Sequence, residues 1–106
     1  MVERFDVFLV NLDPQPSADP KNTRPCVVIS PDELNRNLDN VIVAPLSSTE
    51  LRYPTRVLVN FLNAERSVIL DQIRTVDKGR LVKKIGSISK EAQNETIKRL
   101  QELFAE

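Results

Sequence analysis

Thr23-Arg24-Pro25-Cys26-Val27-Val28-Ile29-Ser30 sets a permanently charged guanidinium at the mouth of an almost unbroken apolar run. The run Pro25 to Ser30 is nearly continuous in apolar residues, which predicts a central β-strand. The proline after Arg24 pushes that residue towards extended geometry and limits its wandering. Arginine is costly to bury and is a preferred side chain for gripping phosphate. Arg24 therefore reads in two ways, as a phosphate clamp or as a surface arginine on a strand end, and the rest of the chain has to decide.

Further strands are predicted on either side. Phe5 to Leu12 is rich in β-formers and stops at the turn signal Asp13-Pro14. Asp13 to Asn22 holds three prolines and no bulky apolar residue, so it reads as a loop, longer than most hairpin connections. Pro31 to Arg36 predicts a short helical turn capped by Ser30. Val41 to Leu46, Thr55 to Val59 and Ser67 to Leu70 predict three more strands, the last running into Asp71 to Val76. Arg80 to Lys84 resembles a short strand or turn before Gly86. Ser89 predicts the cap of a helix from Lys90 to about Phe104, with Ile97, Leu100, Leu103 and Phe104 as one apolar stripe. Strands followed by one terminal helix imply an α+β class, mostly β, and the 106 residues suit a single domain.

Composition narrows the function. Lysine and arginine total 15 against 15 acidic residues, so the whole chain is not a basic nucleic-acid binder. Charge is nevertheless uneven: Arg66 to Lys90 contains seven basic and two acidic residues, a net of +5. Such a patch can bind phosphates, or it can be a set of solvated lysines around a turn. The chain has no histidine and one cysteine, which removes the commonest general base and leaves no means of building a structural zinc site. Two glycines are too few for a glycine-rich phosphate loop. Cys26, inside an apolar run, reads as a reduced core residue of a cytoplasmic protein. No apolar run is long enough to cross a membrane, and the acidic start does not suit a signal peptide.

Two constellations accompany Arg24. Ser47-Ser48-Thr49 puts three hydroxyls just past a strand, where they can bond phosphate oxygens or make an ordinary strand-end turn. Leu70-Asp71-Gln72-Ile73-Arg74 breaks an apolar strand with polar residues, and Asp71 and Arg74 can pair with one another or serve a ligand.

Taken together, these segments resemble the MazF/PemK (Kid) family of toxin–antitoxin endoribonucleases. The resemblance is carried by Asp6 to Pro14, Thr23 to Ser30, Asn35-Arg36, Val41 to Ser48, Tyr53-Pro54-Thr55, Leu70 to Asp77 and Arg80-Leu81, in the family's order and spacing. It implies a small SH3-like antiparallel barrel with a C-terminal helix, and a homodimer whose groove binds single-stranded RNA. It implies cleavage without metal or other cofactor, through the substrate's own 2′-hydroxyl, and silencing by a cognate antitoxin whose disordered tail fills the groove. Arg24 matches the family's catalytic arginine, and Ser47 stands where the family usually has a catalytic threonine. Asp71 and Gln72 match the acid–amide pair near the RNA groove; Asp19, Asn22, Thr23 and Ser48 complete the RNA-binding set.

The chain departs from the pattern after the first strand. The family's loop there usually reads G-[SH]-E-Q-x-G, whereas Ser17-Ala18-Asp19-Pro20-Lys21-Asn22 stands here. Phe5 replaces the glycine that precedes the first strand. Two other functions stay open: a weak or inactive relative that only binds RNA or antitoxin, and a gyrase-binding toxin like CcdB. The latter places its function in a C-terminal segment typically carrying tryptophan, and this chain has none.

Overall fold

The computed structural model describes residues 1–12, 22–48 and 55–105. Along the chain run β1 (Asp6–Asn11), β2 (Thr23–Val28), α1 (Asp32–Asn37), β3 (Asn40–Ser47), β4 (Arg56–Phe61) and β5 (Ala64–Ile69). They are followed by β6 (Arg74–Asp77), β7 (Leu81–Ser87) and α2 (Lys90–Leu103), with single 3-10 turns at Leu70–Gln72 and Lys78–Arg80. The strands form one antiparallel sheet in the order β4-β5-β3-β2-β1-β7. The long β3 is the hinge of the architecture: its first half pairs with β6, its last two residues with β5. One strand thus serves two partners along the same edge, and the sheet curls into a half-barrel with α2 packed against β4.

The unbroken apolar run of β2 is explained by burial on both faces. Val27 joins a core cluster with Val7, Ala44, Leu46, Val68 and Leu70, while Cys26 and Val28 join a second one with Val10, Val41, Val43 and Val76. Alternate residues of a strand point to opposite faces, so a strand between two cores has no polar side. Burying each such aliphatic side chain contributes roughly 1.5–3 kcal/mol. The helix cap at Ser89 forms as its sequence predicts, its hydroxyl accepting from the Ala92 N–H at 3.2 Å.

Three expectations need correction. Ser30 does not cap α1: Pro31 holds the cap position, and the buried Ser30 hydroxyl bonds Asn35 and accepts from the Ile42 N–H at 3.0 Å. Its hydroxyl ties the helix to β3 instead of closing the helix end. The stripe on α2 is only half used: Ile97 and Leu100 pack on the core, while Leu103 and Phe104 are exposed. The last strand is also longer than Arg80 to Lys84, reaching Ser87 through two register shifts against β1.

Phe5 clarifies its own departure from the family pattern. Its backbone sits at φ +74°, the left-handed region that glycine enters freely, yet its side chain is buried in the first core cluster. Its N–H donates to the Val28 carbonyl at 2.7 Å and its carbonyl accepts from Ile88, which pins the unusual conformation from both sides.

Candidate active site

β2 and β3 deliver the two leading side chains. Their ladder pairs Cys26 with Pro45, Val27 with Ala44 and Val28 with Val43. Two residues further along each strand, the same register brings Arg24 level with Ser47. Proline has no N–H to give a ladder, and Pro25 and Pro45 stand where this one ends. Beyond them lies an open cleft of about 430 Å³ lined by Arg24, Ser47, Ser48, Arg66 and Gln72, with Leu12, Pro25, Pro45 and Leu46 as its apolar part. Arg24 and Ser48 are exposed and Ser47 is half-buried, so the charge and the hydroxyls are open to a ligand.

The other side of the cleft comes from β5 and the turn after it. Ser47 pairs with the buried Ser67, and one step further Arg66 comes level with Ser48. The Arg66 Nε–H donates to the Phe61 carbonyl at 3.1 Å, which fixes the guanidinium plane. Gln72 ends a turn anchored by the fully buried Leu70, whose N–H donates to the Thr55 carbonyl at 2.9 Å. Near β1, the Arg80 guanidinium donates to the Asn11 carbonyl at 3.1 Å, one residue before Leu12 at the cleft. Among the described lining residues there are two guanidiniums and no carboxylate. An apolar-walled cleft with one sign of charge concentrates anions.

Of the residues singled out in the sequence, the cleft therefore unites Arg24, Ser47, Ser48 and Gln72. Thr23 and Asn22 precede Arg24 at the same strand end, Thr23 paired with Asn11 and Asn22 exposed, but neither is part of the lining. Asp71 also stands outside the lining. It accepts from the Thr55 hydroxyl at 3.0 Å and lies 3.8 Å from the Arg56 guanidinium, so its cationic neighbour is Arg56, and not the Arg74 that one of the two sequence readings offered. Asp19 lies outside the described residues. Cys26 is fully buried, and burial pushes its thiol up to about 12 against a smaller opposing effect of Arg74, which removes it as a nucleophile. Sequence reasoning counted Arg66 in the basic segment but did not assign it to the site; only the pairing of β3 with β5 brings it to the cleft.

The chain matches the family model described as PemK-like, MazF-like toxin of type II toxin–antitoxin system over residues 3–104. It is 33% identical over 101 residues to the endoribonuclease MazF of Staphylococcus saprophyticus, covering 90% of this chain and 84% of that protein. Among solved structures, a mycobacterial endoribonuclease in complex with its cognate antitoxin superposes with a TM-score of 0.82 at 21% identity, covering 96% of this chain and 93% of that one. MazF in a MazE–MazF structure from Deinococcus radiodurans gives 0.79 at 20% identity, covering 98% and 95%. With the family match spanning nearly the whole length, this chain belongs to the PemK/MazF family of type II toxin–antitoxin toxins.

Proposed function

We propose that the chain is a toxin endoribonuclease that cuts single-stranded RNA at preferred sequences without a metal ion, using the substrate's own 2′-hydroxyl. The observation that carries the reading is the meeting of Arg24 and Ser47 in one cleft whose described lining has no carboxylate. That combination suits a phosphodiester: guanidinium for the non-bridging oxygens, hydroxyl for a further hydrogen bond. The serine hydroxyl keeps one donor and two lone pairs, so it can serve the phosphate while holding a protein partner.

In the reaction, the 2′-oxygen attacks the adjacent phosphorus, the bond to the 5′-oxygen breaks, and a cyclic phosphate remains. The 2′-hydroxyl proton passes to a base and the departing 5′-oxygen gains a proton. Charge accumulates on the non-bridging oxygens between these events. Arg24 acts there: a guanidinium stays charged in proteins, which makes it a poor proton carrier and a permanent electrostatic partner. One such donor aimed at developing charge is worth about 3–4 kcal/mol, on the order of 10²–10³ in rate. Of the two carboxylates that the sequence offers as base, Asp71 is engaged by Thr55 and Arg56, and Asp19 lies outside the described residues. The absence of histidine and the burial of Cys26 leave no usual zinc ligand set, and a hard cation such as magnesium would look for carboxylates, which the described cleft lining does not offer.

The relatives extend the proposal to partners. A homodimer would extend the cleft across two copies, and a cognate antitoxin would block it; support for an antitoxin partner comes from structural neighbours that are complexes with their antitoxins. The test is incubation of the purified chain with single-stranded RNA in excess EDTA, followed by analysis of the product ends. Cleavage leaving a 2′,3′-cyclic phosphate and a 5′-hydroxyl supports the reading. Binding without cleavage would instead identify an inactive RNA- or antitoxin-binding relative.

A further inference from the structure

We propose that Arg66 is a second phosphate-binding side chain of the cleft, gripping an RNA phosphate next to the one that is cut. The proposal rests on the nuclease reading above. β2, which carries Arg24, and β5, which carries Arg66, flank β3 on opposite sides. Neighbouring strands lie about 4.8 Å apart, so the two arginine backbones are separated by roughly twice that distance. Guanidiniums that enter one cleft from its two sides suit neighbouring phosphates of a single strand better than a single phosphate.

The position of Arg66 is not that of a solvated surface arginine. It is partly buried, its Nε–H is anchored on the Phe61 carbonyl, and it lines the same cleft as Ser48 and Gln72. A guanidinium has five donors, so this anchor orients the group and leaves it capacity for an anion. The net +5 of the Arg66 to Lys90 segment supplies a long-range field, but Arg66 is the cation of that segment that reaches the described cleft lining. Arg24 then acts on the transition state, and Arg66 acts equally on bound substrate and transition state.

That division predicts different kinetic signatures. With wild-type cleavage established, Arg66→Gln should raise KM about 10-fold with kcat within about 3-fold, the pattern of lost uniform binding. Affinity for a single-stranded RNA made uncleavable by 2′-O-methylation should fall similarly. The slope of log affinity against log salt should shrink by about 0.7, the share of one phosphate contact on a single strand. Arg66→Lys should restore most of the slope, since lysine binds phosphate as a point charge. Protection of Arg66 from an arginine-selective dicarbonyl by the uncleavable RNA, read by mass spectrometry on the wild-type protein, supplies a measurement independent of any variant's folding. An unchanged KM and salt slope in folded Arg66→Gln, or undiminished Arg66 labelling in the complex, overturns the assignment. A loss confined to kcat overturns it as well. A wild-type protein that binds the RNA with an Arg66-dependent slope but never cuts it defeats the nuclease reading and leaves the phosphate subsite standing.

Discussion

Arg24 and Ser47 stand level on neighbouring antiparallel strands and open onto the same cleft. The relationship follows from the two-residue alternation of a sheet. Arg24 continues the row of Cys26 and Val28, and Ser47 continues the row of Val41, Val43 and Pro45. Those rows are apolar while they face the second core and become polar where the core ends. The core thus fixes the spacing of the pair, and the two prolines stop the ladder beside it.

The hydroxyl should matter more than the serine itself. Ser47→Thr is expected to keep the cleavage rate within about 3-fold, whereas Ser47→Ala should lose about 10- to 100-fold, the worth of a hydrogen bond to a charged group. Single-turnover rates on one RNA, with each variant's melting temperature as a control, check both. Equal loss in the two variants would argue against a hydrogen-bonding role.

The hairpin between β4 and β5 carries local strain. Leu62 and Asn63 turn the chain at φ +51° and +60°, the geometry of a two-residue type I′ turn that favours Asn-Gly. Leu62 is also well exposed, so nothing in the core rewards a leucine there. Leu62→Asn should therefore raise unfolding stability by about 0.5–1 kcal/mol without touching activity, because a left-handed leucine costs roughly 1–2 kcal/mol. Urea denaturation measures it, and a decrease in midpoint would contradict the strain.

Cys26 should be silent in the native protein. Its thiol is raised by burial to about 12, so the neutral form is favoured in the fold. The sign follows: the contribution is present at neutral pH and is lost as pH rises from about 9 through about 12, because the unfolded thiol ionises first. Alkylation at pH 8 should be absent in buffer and complete in denaturant, and Cys26→Ala should flatten the alkaline fall in stability. Rapid native labelling would show that the second core opens locally.

Much of this architecture was legible in the chain. The apolar run of β2 and the Ser89 cap of α2 predict their elements because burial and capping are local requirements. Ser30 misled because a serine before a helix suits a cap, while the structure uses its hydroxyl across 12 residues to hold Ile42. Asp71 was visible as a polar break, but its cationic neighbour Arg56 comes from a strand that only the tertiary arrangement brings near. Arg66 was visible only as one charge of the basic segment, since reaching the cleft depends on the register of β5 against the end of β3. Exposure of Leu103 and Phe104 likewise depends on how far the core reaches along α2, which helical spacing does not encode.

The most direct measurement is the single-turnover cleavage rate of folded Arg24→Ala on saturating single-stranded RNA in EDTA, beside wild type. A loss on the order of 10²–10³ with little change in RNA affinity is predicted, the amount expected when one preorganised donor to transition-state charge is removed. A folded variant that cuts at a near-wild-type rate would contradict the role given to Arg24 and, with it, the cleft as the place of chemistry.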